Sequence, residues 1–74
     1  MIARPLTTFS VGSDVLVDVI GSDAACRLRD VGVREGAFIG IVHNNGNVIV
    51  RVAGSRIGLR REIAQRILAI PAGQ

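Results

Sequence analysis

An Asn-Gly pair between two apolar runs limits the folds open to this chain more than any other feature. Residues 37–43 (AFIGIVH) precede the pair and residues 48–54 (VIVRVAG) follow it. Asn and Gly both tolerate the positive φ angles of a two-residue type I′ turn, so the pattern predicts a β-hairpin with Asn45-Gly46 as its loop. In that register Asn44 lies opposite Asn47, and the residue numbers of each opposed pair add up to 91.

The predicted hairpin has two faces of different composition. The face expected to form the core carries Ile39, Ile41 and His43 opposite Val52, Val50 and Val48. The outer face carries Phe38, Gly40 and Val42 opposite Ala53, Arg51 and Ile49. The first face is assigned to the core because it is richer in β-branched side chains. The second is still unusually apolar for a face that a small open barrel leaves to solvent.

Other strands are predicted on both sides of the hairpin. Residues 14–20 (DVLVDVI) alternate in a way typical of a half-buried strand. Its core face is expected to carry Val15, Val17 and Val19. A short strand with Ile57 and Leu59 inward follows the hairpin, and after a helical turn at 61–66 a last strand covers 67–70.

Two helical pieces complete the prediction. Apolar residues recur at helical spacing after the first strand, at Ala24, Leu28 and Val31. Gly32 then stands where a left-handed C-cap residue is wanted, so one short amphipathic helix is expected. Ahead of the first strand, Leu6 and Phe9 are expected on one side of a single helical turn or apolar clip.

These elements predict a mainly β fold, a small five-stranded antiparallel barrel with one short helix after the first strand and a helical turn before the last. No repeat or linker divides the sequence, so residues 1–74 are expected to form a single domain. A chain of this length buries only about 60–65% of the surface of its unfolded form. That leaves little room for both a core and a catalytic cleft, and an enzyme is not expected.

Composition also bears on location and partners. The start of the chain lacks the apolar run of a signal peptide, and the longest apolar stretch, 67–72, is far shorter than the roughly 20 residues that span a bilayer. Cys26 is the only cysteine, so no internal disulfide can form. We therefore expect a cytoplasmic protein that does not insert into membranes.

The charge is modest and carried by one residue type. All nine basic residues are arginine, and the net charge is +3. This charge permits attraction to an acidic protein, a membrane surface or a nucleic acid without choosing among them. Readers of single-stranded nucleic acid use aromatic platforms, and the only aromatic residues are Phe9 and Phe38, so nucleic-acid binding is not expected.

The spacing of apolar and glycine residues resembles a known family. In residues 21–36 (GSDAACRLRDVGVREG), an Arg-Leu pair ending at Leu28 closes the predicted helix, and Gly32 is followed after three residues by Gly36. The pattern continues with Gly54, Leu59, Ala64 and Ile67. Over positions 6–70 the chain resembles the ferrous iron transport protein A (FeoA) family. It is similar also to the C-terminal module of iron-dependent repressors, in which this barrel is appended to a DNA-binding domain.

This resemblance implies an SH3-like small barrel and a non-enzymatic accessory role in ferrous iron uptake. The partner it implies is the permease FeoB, through its cytosolic portion. Many family members have a longer hairpin connection with Pro and Asp, whereas this chain has only HNNGN at 43–47. The resemblance therefore implies no role of the longer loop for this chain.

The outer hairpin face is our candidate for a docking surface. Phe38, Val42 and Ile49 form its apolar part, with Arg51 and Arg56 as polar contacts at the rim. The alternative is that the N-terminal turn simply covers these side chains. A second copy of the chain is another candidate partner, so a homo-oligomer stays open.

Metal binding and nucleic-acid binding are the rival interpretations. His43 and Cys26 are the only soft or borderline metal ligands, too few for a closed structural site, so no cofactor is expected. A metal-responsive module like the repressor domain would bind a divalent transition metal weakly, with carboxylates or across a dimer. A nucleic-acid-binding barrel would depend on Arg60 and Arg61.

Overall fold

The computed structural model describes residues 2–21 and 27–72. Its strands are β1 (Arg4–Pro5), β2 (Asp14–Ile20), β3 (Phe38–Asn45), β4 (Asn47–Val52), β5 (Ser55–Leu59) and β6 (Ile67–Pro71). A 3₁₀ turn covers Leu6–Thr8, helix α1 is described over 27–30, and helix α2 covers Arg61–Ala64. The predicted mainly β class is confirmed, with six strands rather than five. The additional strand is β1, two residues that the sequence does not mark.

The strands form one antiparallel sheet in the order β1-β6-β2-β3-β4-β5. Buried side chains from β2, β3, β4, β5 and β6 meet in a single apolar cluster. A flat sheet could not bring strands so far apart in its order to one cluster, so the sheet curls around its core. One face of the sheet therefore points inward, and the other forms the outside of the molecule.

The N-terminal turn belongs to the core. Leu6 and Phe9 are both buried in the central cluster, as expected for two residues on one side of a helical turn. The guanidinium carbon of Arg4 lies 4.4 Å from the centroid of the Phe9 ring, a cation–π contact. Because both apolar side chains point inward, the turn does not use them to cover the outer hairpin face.

Strand β2 has the predicted bounds but not the predicted face throughout. Val15 and Val17 are buried, whereas Val19 is 45% exposed and Ile20 is buried in its place. The pairing with β6 shifts between Val17 and Val19, which leaves Asp18 as a β-bulge. A bulge turns the following residues to the opposite face, so the prediction for Val19 is wrong.

Helix α1 ends as predicted at a left-handed glycine. Gly32 has a φ of +95°, the amide of Gly32 bonds to the carbonyl of Arg29, and the amide of Val33 bonds to that of Leu28. This double bond pattern is a Schellman motif, and it brings Leu28 and Val33 together in the core. Val31 is 48% exposed, so its prediction as a core residue is wrong. Ala24 lies outside the described residues.

The predicted register of the β3–β4 hairpin holds only in the half that lies away from the tip. Gly40 pairs with Arg51 and Ile41 with Val50, but nearer the tip the pairing shifts by one residue and Asn45 lies opposite Asn47. The shift lies between Ile41 and His43 and marks a bulge at Val42, so the predicted two-residue loop is wrong. The residues buried on the predicted core face are Ile39, Ile41, Val48, Val50 and Val52. His43, also predicted there, is exposed because the bulge reverses its side.

The type I′ conformation occurs at the next hairpin instead. Val52 pairs with Ser55, so Ala53 and Gly54 form a two-residue loop between β4 and β5, and their φ angles are +52° and +81°. At the β3–β4 tip only Gly46 has a positive φ. After this loop, β5, α2 and β6 follow as predicted, with Leu59 buried and Ile57 half-buried.

Candidate functional site

The first feature of the outer face is an apolar row that crosses three strands. Leu16 pairs with Phe38 on one side and with Ile70 on the other, and residues paired across a sheet share a face. Phe38 is 69% exposed, while Leu16 and Ile70 are half-buried. Sequence reasoning missed Leu16 and Ile70 as surface residues. The signal was present, since Leu16 stands between Asp14 and Asp18 in the alternation and Ile70 follows the buried Ala69.

A charged row lies beside the apolar one. Asp14 pairs with Gly40, Gly40 with Arg51, and Arg51 with Arg56, so these four residues cross β2, β3, β4 and β5 on the outer face. Gly40 has no side chain of its own. A Cβ built there would lie 3.2 Å from Nη2 of Arg51 and 3.3 Å from Oδ1 of Asp14. The guanidinium and the carboxylate therefore lie over the glycine and occupy the space that a side chain would take.

A third row lies nearer the hairpin tip. His43 pairs with Ile49, and Ile49 pairs with Gly58 on β5. Ile49 is half-buried, as is Val42 in the neighbouring bulge. The predicted apolar surface is thus divided, because the row with Gly40 and Arg51 stands between Phe38 and Ile49. Phe38 joins Leu16 and Ile70 instead, beside a shallow depression that Arg51, Ala53 and Gly54 also line.

Arg51 and Arg56 form a pair of like charges on neighbouring strands. They lie directly opposite each other, an arrangement that destabilises an isolated strand pair. Within the part of the chain that the structure describes, neither guanidinium forms an ion pair or a hydrogen bond. Both side chains are exposed. The structure thus brings these two predicted rim residues together and leaves their donors open to solvent.

Asn44 connects three elements in a way that the sequence did not reveal. Its Nδ2 donates to the carbonyl oxygens of Thr7 at 3.1 Å and Phe9 at 2.8 Å. Nη1 of Arg61 donates to Oδ1 of Asn44 and to the carbonyl of Gly46, each at 3.3 Å. The one-residue register shift makes this possible, since it places Asn44 opposite the buried Val48 rather than opposite Asn47. Asn44 and Arg61 are therefore structural residues.

Of the two metal candidates, His43 lies within the described residues. His43 is exposed on the outer face, and Cys26 lies outside the described residues. In residues 2–21 and 27–72 no three His, Cys, Asp or Glu side chains are grouped so that they could hold a metal ion. Weak binding by His43 and Cys26 stays a hypothesis. Over the same residues, no helix has both the length and the apolar character needed to cross a membrane.

The residues that carried the family resemblance fall into two structural classes. Four are buried in the core, namely Leu28, Leu59, Ala64 and Ile67. Three have positive φ angles between +81° and +95°, namely Gly32, Gly36 and Gly54. Glycine adopts such angles without the Cβ clash that other residues suffer. These positions therefore specify the fold.

Solved structures of other proteins have the same fold as this chain. A crystal structure of the iron uptake regulatory protein FeoA superimposes with a TM-score of 0.86 at 26% identity, covering 97% of this chain and 100% of that one. An FeoA-like protein from Clostridium acetobutylicum also gives 0.86, at 23% identity, with coverage of 100% and 92%. A manganese-dependent transcriptional repressor shares the fold at 17% identity, and the match covers 95% of this chain but 42% of the repressor.

These matches confirm the predicted SH3-like architecture, here with six strands in place of five. Among curated proteins no sequence matches the chain significantly. The FeoA domain family matches residues 4–71, nearly the whole sequence and every element from β1 to β6. The chain therefore belongs to the FeoA family.

Proposed function

We propose that this protein is a non-enzymatic, cytoplasmic accessory protein of ferrous iron uptake that docks on the cytosolic portion of an FeoB-type permease. Membership of the FeoA family implies the role in ferrous iron transport. The observation that supports docking is the exposure of Phe38, in a continuous row with Leu16 and Ile70 on the outer face. Arg51 and Arg56 border this row with open guanidinium groups.

An exposed phenylalanine within an apolar row is an unfavourable feature of an isolated domain. Aromatic side chains are enriched in the centres of protein interfaces, where a few such residues carry most of the binding energy. Full burial of a phenylalanine side chain contributes about 1.5–3 kcal/mol. Val42 and Ile49 are less exposed than the sequence led us to expect, so Phe38 is the principal apolar contact and they lie at its periphery.

The test is the affinity of the purified chain for the cytosolic portion of the permease, before and after Phe38→Asp. We expect the substitution to weaken binding at least tenfold, about 1.4 kcal/mol or more. The fold should persist because the side chain is 69% exposed. Val11→Asp is the matched control, since Val11 is 60% exposed but lies in the turn before β2. Equal losses in both variants, or no loss in Phe38→Asp, would contradict the proposal.

The rival functions receive less support. Arg61, one of the two residues assigned to nucleic-acid binding, donates hydrogen bonds to Asn44 and Gly46. A nucleic-acid-binding barrel would still show affinity that falls steeply with salt and is lost on substitution of Arg60 and Arg61. A metal-responsive module would be stabilised by a divalent metal, and that stabilisation would vanish in His43→Ala.

A further inference from the structure

The sheet has two edges, and they differ in what they offer to another strand. The β1 edge has two residues, and one of them, Pro5, has no amide hydrogen to donate. The β5 edge has five residues, Ser55–Leu59, with no proline. Within the described residues, the backbone of Ser55–Leu59 forms no hydrogen bond outside its pairing with β4. An unpaired edge of this kind is a template for strand addition.

The register identifies which backbone groups are open. A two-residue loop makes its flanking residues, Val52 and Ser55, a hydrogen-bonded pair, and such pairs alternate along an antiparallel ladder. Ser55, Ile57 and Leu59 therefore direct their N–H and C=O groups toward β4. The groups of Arg56 and Gly58 point away from β4, toward the open edge. Two residues thus present the donors and acceptors that an added strand would use.

Gly58 leaves the outer face of the sheet open beside this edge. A Cβ built on Gly58 would find no atom within 4 Å, so its outer side is open. Glycine inside a strand weakens it, and such a position often marks the close approach of another backbone or a ligand. On this edge the exposed glycine alternates with the exposed Arg56. On the outer face, side chains of an added strand would therefore lie beside the guanidinium of Arg56 at one position and beside the open space over Gly58 at the next.

The charges indicate what kind of strand would fit. An added strand extends the row of Asp14, Gly40, Arg51 and Arg56 by one position, directly beside Arg56. A carboxylate at that position would form a charge-assisted bond with a guanidinium that forms no ion pair in the described residues, and would offset its repulsion with Arg51. A second copy of β5 would supply no carboxylate, since arginine is the only charged residue of that strand.

We propose that β5 is a strand-addition site for an extended acidic segment of a partner protein, which pairs with Ser55–Leu59 and places a carboxylate beside Arg56. This inference rests on the proposed function in that the segment belongs to the same docking partner. It specifies the binding mode, backbone pairing at one edge, in addition to apolar contact at Phe38. Main-chain bonds supply affinity in such complexes, and alternate side chains supply specificity.

The test uses two synthetic peptides and amide NMR of the full chain. One peptide alternates Val and Glu, and the other alternates Val and Lys. We expect the acidic peptide to bind at least tenfold more tightly, with shift changes and slower amide exchange centred on Ser55–Leu59. Arg56→Glu should reverse the preference between the peptides. Arg60→Glu changes the net charge equally from a position outside the ladder and should alter affinity less than twofold.

A backbone variant separates strand pairing from charge attraction. Gly58→Pro removes an outward amide and leaves the β4 ladder intact, because prolines are tolerated on edge strands where the N–H faces solvent. It should reduce the affinity for the acidic peptide at least tenfold. If Gly58→Pro fails to fold, the reversal in Arg56→Glu still decides the question. Shift changes centred on the row of Phe38, or no binding at millimolar peptide, would overturn the inference.

Two further outcomes separate this inference from the proposed function. If Gly58→Pro captures the cytosolic portion of the permease as well as the unmodified chain does, strand addition is wrong and docking through Phe38 stands. If the acidic peptide binds at β5 but the permease is not captured, the proposed function is wrong and the strand-addition site stands. Shift changes in Ser55–Leu59 that grow with protein concentration without peptide would identify a second copy as the occupant, against the proposal.

Discussion

Ala53 shows how a single backbone conformation sets the path of the chain. It is the only residue other than glycine with a positive φ among those that the structure describes. The left-handed region costs a residue with a Cβ roughly 1–2 kcal/mol. The turn between β4 and β5 imposes it, because a two-residue loop of type I′ requires positive φ at both positions. The Asn-Gly pair that predicted such a turn lies one hairpin earlier, where Asn45 does not adopt a positive φ.

This difference between the two loops can be measured. Replacement Ala53→Asn introduces the residue type preferred at the first position of a type I′ turn, and should increase the free energy of unfolding by about 0.5–1 kcal/mol. The control is Asn45→Ala, which should change that free energy by less than about 0.5 kcal/mol because Asn45 is exposed and has no positive φ. Urea denaturation measures both. A larger loss in Asn45→Ala than gain in Ala53→Asn would show that the type I′ turn lies at residues 45–46.

At the scale of elements, two bulges and one side-chain amide decide how the strands meet. The bulges at Asp18 and Val42 reverse the side on which the following residues lie. The second of them turns Asn44 toward the N-terminal turn, where it bonds to the carbonyls of Thr7 and Phe9. The alternation of valines in β2 continues unbroken through Asp18, so it could not have revealed that bulge. The bend that requires the two bulges arises only when the sheet closes around its core.

Removing the amide of Asn44 tests its connecting role. Asn44→Ala leaves two part-buried carbonyls without their donor and removes one of the two acceptors of Arg61 Nη1. We expect the free energy of unfolding to fall by about 1–3 kcal/mol, the usual cost of unsatisfied part-buried groups. Asn47→Ala is the matched control, since Asn47 is exposed and forms no side-chain hydrogen bond with the described residues. Equal effects of the two substitutions on thermal unfolding would contradict this role.

For the whole molecule, the order of strands predicts where the structure opens first. Strands β2 and β3 have neighbours on both sides, whereas β1 and β5 lie at the edges. Local opening requires the least free energy in segments that have few buried contacts and whose backbone hydrogen bonds are exposed to solvent. The edge strands should therefore open before the central strands. The same order leaves the edge of β5 without a neighbouring strand. Early opening at the edges and the proposed strand addition are thus both expected from one topology.

Amide hydrogen exchange measures this gradient residue by residue. We expect the slowest exchange in Val15, Val17 and Ile41 at the centre of the sheet. Along β5, the amides of Arg56 and Gly58 should exchange at least tenfold faster than the amide of Ile57, because theirs point away from β4. Equal protection of all three amides would mean that the β5 edge is already covered in the isolated chain.

The sequence by itself determined those features that depend on a few neighbouring residues. It located β2 at Asp14–Ile20, assigned Ile39, Ile41 and Val50 to the core, and placed the end of α1 at Gly32. Alternation and left-handed caps are local properties, so a short window of sequence contains them. The family resemblance rests on many such local patterns along the chain, and the match of the FeoA domain family to residues 4–71 confirmed it.

Only the tertiary structure decided which outer residues stand side by side. Leu16, Phe38 and Ile70 come from three separate strands. Their alignment depends on closure of the sheet around a common core, which involves residues far apart in the chain. No local pattern contains such pairings, because the free energy that selects them comes from burying all the strands together.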